Sequence, residues 1–326
     1  MIRRALVTVA ALGAATVSIG PVSDWLARRL MAAPRRLPEE AGMAVLLDRL
    51  GGEVVRLRCR DGIRLTGRWL AAEAGDDGWV PDPREAILLL HGYSGSVTPD
   101  LVELGPSLRR TAGVLGLDFR GHGGSDDGPT TFGLQETEDV AGALAWLGER
   151  GVRRVALVGS SMGGITAIAA TVVLGDGRLP AADIDPDAPA ATVDAPRPRI
   201  VAIVADSVAP EIALVVGRQL GVRGGVRLVD HAFARFPHLV GGDPRSTQPI
   251  AAVGLLEDMP LLLVHGGADR LIPQKAAARL AAAAPHGTRH LVVPGAGHGE
   301  AHAKDPAAWE AAAAEILRGA FAEARD

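Results

Sequence analysis

The chain has 326 residues, a formal net charge of −4, 48% hydrophobic residues and only 3% aromatic residues. This length can hold one large α/β domain or two ordinary domains, and the apolar content excludes global disorder. The small net charge gives no electrostatic reason to expect nucleic acid as a partner. The single cysteine, Cys59, excludes an internal disulfide and is expected to pack in the core.

The N-terminus combines a short basic start with a long apolar run. Residues 5–20 contain no charge, and extending the run to Val22 gives eighteen residues. That length is at the lower limit for a helix that crosses a bilayer. Trp25, Arg28 and Arg29 follow, as expected where a helix reaches the lipid headgroups. We therefore predict an uncleaved membrane anchor within residues 1–34.

Two other interpretations of this segment stay open. A cleaved signal peptide would give a secreted protein, although Ile19, Pro21 and Val22 make a poor cleavage region. A helix packed on the domain would normally show a polar face, which the apolar run lacks. Arginines lie on both sides of the run, so the side of the membrane is left open.

From residue 35 onward, short apolar strands alternate with helices. Two β-rich runs, 53–59 and 63–71, flank Asp61-Gly62 and predict a hairpin. Six continuous apolar runs are typical of strands buried on both faces, at 86–90, 114–118, 155–159, 200–205, 261–265 and 291–294. Helical patterns lie between or after them, at 101–110, 137–150, 162–174, 274–284 and 306–322. The alternation predicts an α/β fold over residues 35–326, with a mostly parallel sheet covered by helices on both faces.

Two segments interrupt this alternation. Residues 175–198 are rich in Asp, Pro and Ala and are interpreted as a surface excursion. Residues 208–259 are too long for one crossover and contain short helical patterns at 212–220 and 230–236. Because this segment follows a predicted strand, we expect it to form a short helical cap over the strand ends.

The strongest chemical signal is the sequence G-S-S-M-G-G at 159–164, between a predicted strand and a predicted helix. This is the context of the G-x-S-x-G nucleophile elbow, whose glycines let strand and helix come close together. The turn would hold Ser161 at a helix N-terminus, where backbone N–H groups favour developing negative charge. An ordinary glycine-rich turn is the alternative for this pattern alone. Ser160 fails the spacing and is interpreted as a turn residue.

A nucleophilic serine of this type needs an acid and then a base, in that order along the chain. Asp269 follows the strand predicted at 261–265, and His298 follows the strand predicted at 291–294. Both lie at strand carboxyl ends, where α/β sheets build their sites. We predict that His298 takes the Ser161 proton and that Asp269 orients the imidazole. A turn aspartate and a surface histidine are the alternatives for each residue alone.

The loop after the strand at 86–90 reads H-G-Y-S-G-S from His91 to Ser96. The backbone N–H of Tyr93, together with that of Met162, is predicted to form the oxyanion hole. His91 is expected to buttress this loop.

Two alternative site assignments are less favoured. Asp206 ends a predicted strand and is a second choice for the acid, behind Asp269. His298, Glu300 and His302 do not match the H-E-x-x-H spacing of a zinc site, and a metal would leave the elbow unexplained. No metal is predicted.

Together these motifs resemble the α/β-hydrolase superfamily, in its serine hydrolase (esterase or lysophospholipase-like) branch. The resemblance extends from about Arg56 to the C-terminus and includes the segment D-F-R-G-H-G-G-S at 118–125. In that segment Asp118, Arg120 and His122 are expected to form an ion-paired loop. The resemblance implies an eight-stranded sheet and no cofactor. It is closest to single-domain bacterial serine hydrolases with an N-terminal anchor and a short cap.

The identity of the elbow residue narrows the expected chemistry. Dehalogenases and epoxide hydrolases of this fold carry aspartate there, so Ser161 favours acyl transfer through an acyl-enzyme. The leading hypothesis is a carboxylic ester hydrolase that acts on a small ester or a lipid at a membrane surface. A thioester or amide hydrolase and a catalytically idle binding protein on the same fold are the alternatives.

Overall fold

A computed structural model describes residues 19–32, 41–75, 77–93, 95–175, 197–221 and 224–325. In these residues one sheet contains the strands β1 (Glu53–Arg58), β2 (Arg64–Leu70), β3 (Glu85–Leu90), β4 (Gly113–Leu117), β5 (Arg154–Ser160), β6 (Arg199–Asp206), β7 (Leu261–Gly266) and β8 (Arg289–Val293). Their spatial order is β1-β2-β4-β3-β5-β6-β7-β8. The pairs β1·β2 and β2·β4 are antiparallel and the other pairs are parallel. The predicted fold, with a mostly parallel eight-stranded sheet, is confirmed.

The helices cover both faces of this sheet. They are α1 (Ile19–Met31), α2 (Ala41–Leu50), α3 (Val97–Leu108), α4 (Glu136–Glu149), α5 (Met162–Gly175), α6 (Ile212–Gln219), α7 (Gly225–Phe233), α8 (Pro237–Val240), α9 (Pro249–Ala252), α10 (Gln274–Ala283), α11 (Ala301–Lys304) and α12 (Pro306–Glu323). Short 3-10 turns occupy Pro244–Thr247 and Val253–Leu255. Helix α2 was not predicted from the sequence.

The central strands are buried on both faces because helices pack on each side. In β3 the alternate residues Leu88 and Leu90 join a core with α4, α5 and the cap helices. Ile87 and Leu89 point the other way and join a core with α3 and α12. This alternation follows from the two-residue period of a strand. It explains why the sequence of β3 is a continuous apolar run.

The N-terminal hairpin forms at the sheet edge as predicted. Strands β1 and β2 pair in antiparallel register from Glu53 with Trp69 to Arg58 with Arg64. The connecting turn places Gly62 at a φ of 88°, in the left-handed region that favours glycine. Cys59 is buried beside this turn, as expected.

The predicted apolar anchor at 5–22 lies almost entirely outside the described residues. The described chain begins within it, at Ile19, where α1 starts. In the described ranges no helix is long and apolar enough to cross a bilayer. Leu26, Ala27 and Leu30 of α1 are buried. This part of the N-terminal region therefore packs on the domain through one apolar face.

The predicted cap, 208–259, contains helices α6 to α9. Val229, Phe233 and Phe236 on its inner side are fully buried. Helices α6 and α7 pack on each other, and α1 packs on α7. Asp24 of α1 pairs with Arg235 after α7, with 2.5 Å between carboxylate and guanidinium. Of the excursion predicted at 175–198, residues 176–196 lie outside the described residues.

Candidate active site

The connection from β5 to α5 is a sharp turn with Ser161 at its apex. Ser161 has a φ of 50°, in the left-handed region that residues other than glycine rarely adopt. Its backbone N–H donates to the carbonyl of Asp206 at 2.8 Å, and its carbonyl accepts from the N–H of Ile165 at 3.0 Å. Strained backbone of this kind persists where surrounding contacts fix it, and it concentrates at functional sites.

Close backbone approach explains the glycines around Ser161. A Cβ added to Gly159 would lie 2.4 Å from the carbonyl carbon of Gly163. A Cβ added to Gly163 would lie 2.1 Å from the carbonyl oxygen of Leu90. Both distances are shorter than any van der Waals contact, so only glycine fits at either position. The turn therefore has the geometry that the G-x-S-x-G pattern predicts.

His298 lies between the two other residues of the predicted triad. Its Nε2 is 3.0 Å from Oγ of Ser161, and its Nδ1 is 2.8 Å from Oδ2 of Asp269. With the Nδ1 proton donated to the carboxylate, Nε2 is left to accept the serine hydroxyl proton. The structure thus brings Ser161, His298 and Asp269 together in a nucleophile, base and acid arrangement.

The carboxylate of Asp269 is fixed by its own loop. Its Oδ1 accepts hydrogen bonds from the backbone N–H groups of Leu271, at 2.8 Å, and Ile272, at 2.9 Å. Burial of the carboxyl acts to raise its pKa, but the hydrogen bond from His298 and those from the two amides outweigh burial and lower the pKa below its ordinary value. Asp269 is therefore ionised at neutral pH and can stabilise a protonated imidazole.

The loop after β3 lies against Ser161. A Cβ added to Gly92 would be 3.6 Å from the Cβ of Ser161. The next residue, Tyr93, donates its hydroxyl to the carbonyl of Leu30 at 3.1 Å, and its ring stacks on Phe132 with centroids 5.4 Å apart. Met162 is the first residue of α5, so its N–H has no acceptor within the helix. The oxyanion role of the Tyr93 and Met162 N–H groups stays a prediction.

His91 supports this loop from beneath. Its Nδ1 donates to the carbonyl of Gly92 at 2.7 Å, and its Nε2 accepts from the N–H of Phe119 at 3.1 Å. Burial, reinforced by the neighbouring His122, lowers the pKa of His91 to about 3. His91 is therefore a neutral, buried residue, which agrees with the buttressing role expected from the sequence.

The segment at 118–125 is held by buried ionic contacts. Arg120 pairs with Asp139 and with Asp61, each at 2.7 Å. Asp118 accepts a hydrogen bond from the N–H of Val97 at 2.7 Å, which ties the segment to the start of α3. These contacts anchor the segment beside the site, but the ion pairs of Arg120 are made with residues outside the segment, whereas an ion-paired loop of Asp118, Arg120 and His122 was predicted.

His302, which the sequence places near His298, has different partners. Its Nδ1 lies 2.8 Å from a carboxylate oxygen of Glu103, and its Nε2 lies 3.1 Å from one of Glu310. It joins α11 to α3 and α12. His298 and His302 thus serve different parts of the molecule.

The contacts of the two residues at the end of β6, Asp206 and Ser207, were not predicted from the sequence. Asp206 accepts hydrogen bonds from the Ser207 hydroxyl at 2.8 Å and from the Trp309 indole at 3.2 Å. Ser207 in turn accepts from the N–H of Gly299, next to His298, at 2.9 Å. No motif singles out Ser207. The one available signal was its place directly after a strand that ends among the site loops.

Comparison with known proteins agrees with this architecture. The model of the Alpha/beta hydrolase family matches residues 87–313. The uncharacterized protein Rv2307c of Mycobacterium tuberculosis is 30% identical over 277 residues, which cover 84% of this chain and 80% of that protein.

Two solved structures show the same fold at low sequence identity. The Pyrococcus furiosus esterase Pf2001 superposes with a TM-score of 0.60 at 20% identity, over 88% of this chain and 98% of the esterase. A membrane phospholipase A, described as a bacterial virulence factor, superposes with a TM-score of 0.57 at 17% identity, over 97% of each chain. From the family match and the shared fold, the chain belongs to the alpha/beta hydrolase family.

Proposed function

We propose that this protein is a serine hydrolase that cleaves carboxylic esters through an acyl-enzyme intermediate. One observation carries the proposal: a single imidazole, His298, is within 3.0 Å of Ser161 Oγ and 2.8 Å of Asp269 Oδ2. A serine hydroxyl becomes a competent nucleophile when an adjacent base can take its proton and a third group orients that base.

Acylation would proceed by attack of Ser161 Oγ on the ester carbonyl carbon. As the new bond forms, the hydroxyl proton passes to His298 Nε2 and the carbonyl electrons move to oxygen. The N–H groups of Tyr93 and Met162 are proposed to stabilise that oxyanion. Collapse of the tetrahedral intermediate breaks the bond to the alcohol oxygen, which receives the proton from His298 as it leaves.

Deacylation uses the same groups with water as the nucleophile. His298 Nε2 takes a proton from water, whose oxygen attacks the acyl carbonyl carbon. The second tetrahedral intermediate collapses with release of the carboxylic acid, and His298 returns the proton to Ser161 Oγ. Ionised Asp269 stabilises the imidazolium that forms in both halves of the reaction.

The surroundings of the site favour an ester with an apolar acyl group. Tyr93 and Phe132 stack beside the nucleophile loop, and Phe132 contacts Phe233 of the cap with ring centroids 5.6 Å apart. Phe132 and Phe233 are themselves buried, so they form an apolar layer behind this loop, and an apolar acyl group would suit a site backed by such a layer. Two proteins of similar fold are an esterase and a phospholipase A, and this similarity supports esters as the substrate class here.

Membrane association through the N-terminal region is a separate part of the proposal. The apolar run at 5–22 supports it, and it would make lipid esters accessible as substrates. We expect the full chain to sediment with membranes and to stay there after an alkaline carbonate wash. Release of the intact chain by that wash would contradict the anchor without affecting the proposed chemistry.

The substrate class is tested with p-nitrophenyl esters from acetate to palmitate. We expect wild type to hydrolyse at least one of them, Ser161→Ala to fall to the background rate, and Ser160→Ala to remain active. Parallel assays with thioester and anilide analogues separate the related acyl-transfer reactions. Absence of ester turnover at every chain length by folded wild type would contradict the proposal and favour a binding protein.

A further inference from the structure

The dipeptide at the end of β6 contacts all three segments that carry the proposed triad. The carbonyl of Asp206 accepts from the N–H of the nucleophile, Ser161, at 2.8 Å. The N–H of Ser207 donates at 2.9 Å to the carbonyl of Val264 in β7, the strand that leads to Asp269. The hydroxyl of Ser207 accepts from the N–H of Gly299, the residue after His298, at 2.9 Å. Among the hydrogen bonds of the described residues, the one between Ser207 and Gly299 is the link from a side chain at the β6 end to the histidine loop.

The orientation of the Ser207 hydroxyl is fixed by its partners. A hydroxyl carries one proton, and Ser207 gives that proton to Oδ1 of Asp206 at 2.8 Å. Its lone pairs therefore face the N–H of Gly299. The Asp206 carboxylate is itself held on its other oxygen by the indole N–H of Trp309 at 3.2 Å. The result is a chain of hydrogen bonds that converges on the Asp206 carboxylate, from α12 on one side and from the histidine loop through Ser207 on the other.

Both residues of this hydrogen bond have a positive φ, which is uncommon for serine and ordinary for glycine. Ser207 has a φ of 55° and Gly299 a φ of 69°, both in the left-handed region. Ser207 is also 1% exposed, so water does not compete for its hydroxyl. A buried, strained serine is retained when surrounding contacts over-determine it, and such residues concentrate where geometry matters for function.

We propose that Ser207 is a positioning residue for His298: its hydroxyl, oriented by Asp206, holds the Gly299 backbone so that the imidazole stays within reach of the Ser161 hydroxyl. The proposal rests on the proposed function for its kinetic consequence. It assigns to Asp206 an indirect role, different from that of a substitute triad acid. Loss of the Ser207 hydroxyl releases one end of the histidine loop, which loosens both contacts of the imidazole, the one to Ser161 and the one to Asp269.

The kinetic test uses Ser207→Ala and Ser207→Gly, because glycine accepts the positive φ without strain and alanine does not. Both variants are expected to lower kcat about 10- to 100-fold with KM changed less than about threefold, as for a small displacement of a catalytic group. Recovery of wild-type kcat in Ser207→Gly would assign the effect to backbone strain and overturn the role of the hydroxyl.

Ser125→Ala is the matched control for loss of a buried hydroxyl. Ser125 is also 1% exposed, donates to the carbonyl of Asp118 at 2.6 Å and accepts from the N–H of Thr66 at 2.9 Å. Like Ser207, it donates one hydrogen bond and accepts one from a backbone N–H, but neither of the segments that it joins carries a triad residue. Its kcat is expected to change less than about threefold. Equal kcat values for the Ser207 variants and Ser125→Ala would overturn the proposal.

A spectroscopic readout keeps this test independent of turnover. The proton that His298 Nδ1 shares with Asp269 should give a downfield proton NMR signal in wild type and in Ser125→Ala, and a weakened or lost signal in both Ser207 variants. If wild type hydrolyses no ester, the proposed function fails and this signal alone decides the positioning role. An unchanged signal in the Ser207 variants would then overturn it.

Discussion

The strand ends that hold the proposed triad and the helical layer formed by α1 and the cap are built from different contacts. At the strand ends, directional hydrogen bonds hold the polar side chains: Asp269 accepts from two backbone amides, and Ser207 accepts from the N–H of Gly299. In the helical layer, apolar faces pack on one another. Phe233 and Phe236 of the cap continue a row of rings that begins with Tyr93 in the loop after β3 and Phe132 before α4, with successive centroids 5.3 to 5.6 Å apart.

This difference indicates which property of the protein each region determines. Hydrogen bonds to backbone are directional, so they fix atoms to within the tolerance that proton transfer requires. Apolar packing tolerates changes of shape if volume is kept. Substitutions at the strand ends should therefore change rates, whereas substitutions in the helical layer should change stability and substrate preference.

The largest effect is expected from Asp269→Asn. The amide keeps the shape of the carboxylate but removes the charge that orients and stabilises the imidazolium, so kcat for an ester substrate should fall by about 10⁴-fold. Steady-state kinetics with an unchanged circular dichroism spectrum would check it. A loss below about tenfold would show that another acid, such as Asp206, serves the triad, and would weaken the contrast between the two regions.

A second large effect is expected from Gly163→Ala, which tests how rigid the strand-end region is. The added methyl group would lie 2.1 Å from the Leu90 carbonyl, so the free energy of unfolding should fall by about 3 kcal/mol. Gly319→Ala, in α12 with open space around it, is the control and should raise that free energy by about 0.5–1 kcal/mol. Urea denaturation of both variants measures the difference. Equal stabilities would show that the elbow can relax.

The pH dependence of stability tests the ionised state of Asp269. Its pKa is lower in the folded protein than its ordinary value, so the carboxylate contributes stability above that value and loses it as pH falls through the folded pKa. The difference in unfolding free energy between wild type and Asp269→Asn should therefore shrink as pH is lowered from about 6 to about 3. A difference that grows on acidification would mean that the carboxyl is protonated in the folded protein.

The smallest effect is expected where the helical layer contacts the loop after β3, from Tyr93→Phe. This variant removes the hydroxyl that donates to the Leu30 carbonyl of α1 but keeps the ring on Phe132. One such hydrogen bond contributes about 1 kcal/mol, and the free energy of unfolding should fall by that amount. Chemical denaturation measures it. A loss of several kcal/mol would show that α1 depends on this bond more than on its apolar face.

The two regions also differ in what could be predicted from the sequence. The elbow and the loops of Asp269 and His298 are short motifs, and each directly follows a continuous apolar strand. They could therefore be located from the local sequence alone. Even there the bounds shifted: β8 was predicted at 291–294 but runs from Arg289 to Val293. As an edge strand, β8 begins with exposed polar residues that a search for apolar runs passes over.

Long-range contacts account for what the sequence did not reveal. The role of Ser207 depends on Gly299, ninety-two positions further along the chain. The apolar face of α1 could not be recognised in the sequence because the uncharged run at 5–20 continues directly into this helix. Only the packing of Leu26 and Leu30 against the domain separates the two. The rings of the cap likewise meet Phe132 through the fold and not through any periodic pattern.

Fluorophosphonate labelling tests the central claim, an activated Ser161, most directly, because the probe reacts with a serine whose proton can be taken by a neighbouring base. The experiment compares wild type, Ser161→Ala and Ser160→Ala, each shown to be folded. Wild type and Ser160→Ala should be labelled, and Ser161→Ala should not. Labelling of Ser161→Ala at the wild-type level, or no labelling of wild type, would contradict it.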